Sequence, residues 1–234
     1  MANLLDVQDI HTFIGQFHIL ENVAFEVPPG SITVLLGRNG AGKTTTLKSI
    51  LGLTPPRSGK VVFDGQEIQG RSSFDIASMG IGFVPEHRAI FRDLSVEENL
   101  RIAERRKGDL ARKEELIFGL FPDLKRLIKL PGTNLSGGQQ QMLAVARALV
   151  PDNRLLLIDE PSEGLAPVLI EQLMEAIQAL SAETTVLLVE QNFTVASALA
   201  ERYVIIEEGQ SVKTGLMADL VQDRETIHRY LGAA

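Results

Sequence analysis

The stretch Ile32-Thr33-Val34-Leu35-Leu36-Gly37-Arg38-Asn39-Gly40-Ala41-Gly42-Lys43-Thr44-Thr45 decides the fold. Its first five residues are apolar or β-branched and read as a buried strand. Gly37, Gly42, Lys43 and Thr44 then fit the spacing Gly, four residues, Gly, Lys, Ser or Thr, after which Leu47, Ile50 and Leu51 fall on one helical face. Strand, glycine loop and helix is the context in which such a loop binds phosphate. Glycines let the backbone curl until successive N–H groups point into one concavity, beside the positive end of the helix. Lys43 adds a cation for outer phosphates, and the Thr44 hydroxyl is a hard oxygen of the kind Mg²⁺ prefers. A glycine turn that only caps a helix uses the same residues; the flanking strand and helix favour phosphate.

A second apolar run, Leu155-Leu156-Leu157-Ile158, ends in Asp159 and Glu160. Parallel strands buried on both faces read this way, and ligands of such sheets gather at the carboxyl ends of the strands. Asp159 is then placed to hold a metal ion and Glu160 to polarise an attacking water. Taken alone, Asp-Glu-Pro equally describes a polar turn that ends a strand. Between these two segments, Leu135-Ser136-Gly137-Gly138-Gln139 precedes a helix that runs to Pro151. A serine and two glycines at a helix N-terminus form a second anion-binding surface. One chain has little use for two such surfaces on one phosphate.

The phosphate loop, the LSGGQ segment and the strand ending in Asp-Glu, in this order, resemble the nucleotide-binding subunit of an ATP-binding cassette (ABC) transporter, and the likeness runs almost end to end. The resemblance implies an α/β fold: a P-loop NTPase core with a mostly parallel sheet, an N-terminal antiparallel β subdomain and an inserted helical subdomain at about 90–135, all in one ABC ATPase domain over 1–234. It implies ATP on residues 37–45, Mg²⁺ on Thr44 and Asp159, and Glu160 as the residue that activates water. It further implies that Leu135, Ser136, Gly137, Gly138 and Gln139 contact the γ-phosphate of ATP held by a second ATPase subunit, so that a homo- or heterodimer closes on two shared sites.

Residues 84–100 (VPEHRAIFRDLSVEENL), EPSEGLAP and LLVEQN are similar to segments of the ATPase subunits of branched-chain amino acid importers. That likeness implies two transmembrane permease subunits and, indirectly, an extracytoplasmic solute-binding protein; import of urea or short amides, and a soluble ABC ATPase acting on the ribosome or nucleic acid, are the alternatives. Many relatives carry Gln where this chain has Glu86, so the coupling role and a share of the metal site pass to Glu86. Gln191 stands where many have a switch histidine; its amide donates a hydrogen bond but cannot carry a proton. Ala166 replaces the usual acidic residue after the catalytic Glu. The aromatic that usually stacks on adenine aligns with Ile14, which leaves the base to Ile14 or to neighbouring Phe13.

The 234 residues suffice for a sizeable core. The net charge of −7, with no basic stripe, argues against a nucleic acid partner. With no cysteine, neither a disulfide framework nor a thiolate metal site is available. The start MANLLD lacks the basic residues of a signal peptide, and no apolar run reaches the ~18 residues of a membrane span. The expected place is therefore cytoplasmic, held on the membrane's cytoplasmic face by permease subunits.

Val23, Phe25 and Val27 alternate as in a half-exposed strand, and Val61-Val62-Phe63-Asp64-Gly65 reads as a strand entering a hairpin. From 95 to about 130 the chain is expected to be helical, opening with Ser95 and Glu98 in capping-box spacing. Leu169, Leu173, Ile177 and Leu180 line a later helix, residues 185–189 a further buried strand. A single final helix is expected to hold Leu220, Ile227, Tyr230 and Leu231. His11, His18, His87 and His228 lack metal-ligand spacing.

Overall fold

The computed structural model describes residues 2–232. Two sheets and a set of helices make up the chain. Strands β1 (Leu5–Ile14), β2 (Phe17–Val27), β4 (Ser58–Phe63) and β5 (Gln66–Glu67) form an antiparallel sheet in the order β2-β1-β4-β5. Strands β3 (Ile32–Leu36), β6 (Ile81–Val84), β7 (Leu155–Asp159), β8 (Thr185–Val189), β9 (Arg202–Glu207) and β10 (Gln210–Leu216) form the second, ordered β10-β9-β3-β8-β7-β6. All neighbours in it are parallel except the edge pair β9–β10. The helices are α1 (Lys43–Ile50), α2 (Ser73–Ser78), α3 (Val96–Ile102), α4 (Asp109–Leu120), α5 (Pro122–Arg126), α6 (Gly137–Leu149), α7 (Pro167–Ser181), α8 (Phe193–Leu199), α9 (Met217–Gln222) and α10 (Arg224–Thr226).

The apolar runs of β3, β7 and β8 are uninterrupted because the central sheet is covered on both faces. Val34, Leu156, Ile158 and Leu188 point into one core with α6 and α7, while Leu35, Leu155, Leu157 and Leu187 point into the other with α1 and the antiparallel sheet. Helices α3 to α5 share the first core through Val96, Leu100, Ile117, Phe121 and Leu124. Ser95 caps α3 as its spacing predicts: its hydroxyl accepts from the Glu98 N–H, and the Glu98 carboxylate accepts from the Ser95 N–H. The β4–β5 turn places Asp64 at φ 49° and Gly65 at φ 74°, the left-handed pair that a two-residue hairpin requires.

The final helix is a correction. It breaks at Asp223 between α9 and α10 and widens into a π turn over Ile227–Leu231. The Asp223 carboxylate accepts from the Thr226 N–H, the Thr226 hydroxyl and the Lys213 ammonium, so it caps a new start rather than continuing the old helix. Among the described residues, no helix is long and apolar enough to cross a membrane.

Candidate functional site

Register brings three strand ends together: Leu35 of β3 and Asp159 of β7 both stand beside Val189 of β8. The phosphate loop leaves the first, Asp159-Glu160 ends the second, and Glu190-Gln191 follows the third. The sheet's carboxyl edge is therefore the site, as expected for this topology.

Gly37 has φ +149°, and a Cβ there would lie 2.1 Å from the Ile206 carbonyl oxygen, so only glycine lets the loop pass β9. The loop is held to the β9–β10 turn, where the Gly209 N–H donates to the Ala41 carbonyl at 2.9 Å. Helix α1 begins at Gly42 with no side-chain cap and no acidic residue in its first turn. Its free amide groups and positive end are left for an external anion. Above them is a cavity of about 460 Å³, lined by Ile14, Ile19, Asn39, Gly40, Gly42, Lys43, Thr44, Thr45, Glu86, Glu160 and Glu163.

Lys43 is nearly buried, and its ammonium donates to the Gly37 carbonyl at 3.0 Å and lies 3.1 Å from a Glu160 carboxylate oxygen. The Thr44 hydroxyl donates to Asp159 Oδ1 at 3.1 Å. Asp159 is buried, and burial pushes its carboxyl up to about 6, with the nearby Glu160 and Glu86 carboxylates adding to the rise against the Thr44 hydrogen bond. Two hard oxygens side by side, under crowded negative charge, suit a divalent cation such as Mg²⁺. Glu160 holds φ 43°, a left-handed backbone that aims its side chain at Lys43, and its N–H donates to the Val189 carbonyl. Non-glycine residues in such conformations concentrate at functional sites.

The expected site residues thus divide. Asn39, Gly40, Gly42, Lys43, Thr44, Thr45, Ile14, Glu86 and Glu160 line one cavity, with Asp159 beneath it. Gly37, Arg38 and Ala41 shape the loop without lining the cavity, and the Arg38 guanidinium donates to the Arg229 carbonyl. Phe13 is not brought to it. On a strand, residues 13 and 14 point to opposite faces, and Phe13 stacks on the His18 ring at 4.2 Å and under the Arg57 guanidinium at 4.1 Å. Gln191 is exposed and also lies outside the cavity lining. Its N–H and that of Asn192 donate to the buried Glu190 carboxylate, whose pKa burial raises. Residues 135–139 lie outside the cavity as well; Ser136 caps α6 in a capping box with Gln139. Ile19 and Glu163, not singled out from sequence, complete the lining. Ile19 could not be read from the Val23 alternation, because a bulge at Asn22 (φ 57°) shifts the register and puts Leu20 on the buried face; Glu163 had no signal either.

A phosphate loop on a parallel sheet, with paired acids at the end of β7, one strand removed from the loop's own, defines a P-loop nucleotide-binding cassette. Residues 20–163 match the ABC transporter family, and the chain belongs to it, as an ATP-binding, ATP-hydrolysing cassette. The chain is 40% identical over 232 residues to the high-affinity branched-chain amino acid transport ATP-binding protein BraG of Pseudomonas aeruginosa, covering 98% of this chain and 100% of that one. It is 32% identical to the lipopolysaccharide export system ATP-binding protein LptB of Escherichia coli K12, covering 92% and 91%. Among solved structures, a nucleotide-free ATP-binding cassette from an ABC transporter superposes with a TM-score of 0.86 at 22% identity over the whole of both chains. An ATP-binding subunit of an ABC transporter gives 0.82 at 28% identity, covering 99% of this chain and 95% of that one.

Proposed function

We propose that this chain powers import of branched-chain or related hydrophobic amino acids through a membrane ABC transporter. It would work on the cytoplasmic face, bound to two permease subunits and paired with a second ATPase subunit, with an extracytoplasmic solute-binding protein delivering the cargo. The observation that carries the cargo assignment is the 40% identity to a branched-chain amino acid ATPase subunit, spanning that protein's full length. The identity to a lipopolysaccharide exporter subunit is lower, at 32%.

In this reading the ATP phosphates lie in the loop of residues 37–45, and Ile14 and Ile19 give the base an aliphatic surface. Thr44 and Asp159 would hold Mg²⁺, with Glu86 lining the same cavity; the ion, when bound, would offset charge on the phosphates. The phosphate draws Lys43 away from Glu160, replacing their 3.1 Å ion pair. Glu160, freed of that partner, accepts the proton of the water whose oxygen attacks the γ-phosphorus as ADP leaves. Gln191 would join only after a movement that brings it from the exposed turn after β8. Ser136, Gly137 and Gly138 act on the nucleotide of the second subunit; their place outside this chain's own phosphate cavity supports that assignment.

The test is reconstitution with branched-chain permease subunits and their binding protein in vesicles. ATP-driven uptake of leucine, isoleucine or valine is the expected result. Uptake of urea or short amides alone, or stable binding to ribosomes without any permease, would overturn the cargo assignment.

A further inference from the structure

We propose that Arg88 is a further catalytic residue: with the amides of Gly137 and Gly138 it receives the terminal phosphate of the nucleotide held by the second ATPase subunit. This rests on the reading that residues 135–139 complete that subunit's site. The guanidinium of Arg88 lies directly on the N-terminus of α6. A Cβ built on Gly137 would meet its Nη1 at 3.0 Å and its Nη2 at 3.5 Å, so nothing separates the cation from Gly137. Among the described residues the Arg88 side chain has neither a hydrogen bond nor an ion pair, although it is half-buried. The Gly137 and Gly138 N–H groups also lack an acceptor, since the Ser136 hydroxyl takes the Gln139 N–H, and the first turn of α6 carries no acid. An unpaired guanidinium thus lies beside the helix start that carries two free amides. Their chemistry matches phosphate oxygens, which a planar guanidinium meets with two parallel hydrogen bonds.

The backbone shows that this placement is held rather than incidental. Arg88 and Ala89 have φ 60° and 47°, two successive non-glycine residues in the left-handed region, each costing about 1–2 kcal/mol. The Ala89 N–H donates to the His87 carbonyl, and the Ala89 carbonyl accepts from the Arg147 guanidinium at 2.5 Å. Arg147 belongs to the last turn of α6, and its guanidinium also lies 5.0 Å from the centre of the Phe91 ring. The helix that presents Gly137 therefore also grips the loop that presents Arg88. Glu86, at the head of the same loop, lines both the phosphate cavity and an open cavity of about 680 Å³ that Arg88 lines with Arg92, Gln140 and Glu163. Added cationic charge at the transferring phosphoryl group stabilises its transition state.

The experiment uses the full chain carrying Glu160→Gln, so that ATP binds without turnover, and measures ATP-driven dimerisation by sedimentation and ATP binding to the monomer by a fluorescent analogue. Adding Arg88→Gln is expected to weaken the dimer at least tenfold while analogue binding and melting temperature stay as in the parent; Arg88→Lys is expected to retain the dimer within about threefold. An Arg88→Gln dimer as tight as the parent's overturns the proposal alone. Equal losses in both variants together with a lower melting temperature overturn it in favour of a structural role. If the Glu160→Gln parent forms no ATP-dependent dimer, the two-subunit reading fails and this proposal with it.

Discussion

Replacing Asp159 by Asn tests the electrostatics of the site without touching its shape. Asp159 is 1% exposed, and burial and neighbouring carboxylates lift its carboxyl from 3.8 to about 6. A folded pKa above the unfolded one means that the folded chain favours the proton. The stability this provides is complete below about pH 3.8 and is lost as pH rises through about 6. The shift of roughly two units corresponds to about 3 kcal/mol of destabilisation of the ionised wild type at pH 8. Asn keeps the Oδ1 that accepts from Thr44 and removes the charge. In the nucleotide-free chain, Asp159→Asn is thus expected to be more stable than wild type by up to about 3 kcal/mol at pH 8, or roughly 6–12 °C in melting temperature for a chain of this size. The difference is expected to shrink toward zero near pH 4, because every other titrating group is common to both proteins. Urea unfolding at pH 4.5, 6 and 8 reads the difference directly. Adding Mg-ATP reverses the order, since only the wild type retains the carboxylate that would hold the ion. A variant no more stable at pH 8, or a difference that does not change with pH, refutes the reasoning.

Two further substitutions probe the fold around the site. Ser95→Ala removes the hydroxyl that caps α3 and is expected to cost about 1 kcal/mol, seen as a fall of roughly 2–4 °C in melting temperature, with ATP binding unchanged. Gly138→Ala places a methyl 2.1 Å from Leu169 Cδ1, so the Leu169 side chain must swing aside or α6 and α7 must shift apart. It is expected to cost about 1–3 kcal/mol by thermal unfolding, and adding Leu169→Ala is expected to recover part of the loss.

Local signals were legible where one segment contains its own physics. The run Ile32 to Leu36 had to be a strand covered on both faces, and the glycines after it had to leave the helix start uncapped. Ser95 with Glu98, and Asp64 with Gly65, fixed a cap and a turn because each uses only its neighbours. Tertiary partners were not legible. Asp223 breaks the last helix because Lys213, ten residues earlier, meets it across space. Phe13 was weighed beside Ile14 as a base platform, yet strand alternation allows only one of them to face the loop. Glu163 gave no local signal of its approach to the cavity, nor Glu190 of its burial beside Leu35, since both depend on β7 and β8 folding side by side. Arg88 was invisible for the same reason, as its neighbour Gly137 lies far along the chain.

The most direct test of the account is phosphate release by wild type and by Glu160→Gln at saturating Mg-ATP. The account predicts a fall of roughly 10²- to 10⁴-fold in turnover with ATP binding retained, because the variant keeps the phosphate loop and loses the proton acceptor. Undiminished steady-state hydrolysis by Glu160→Gln would contradict it.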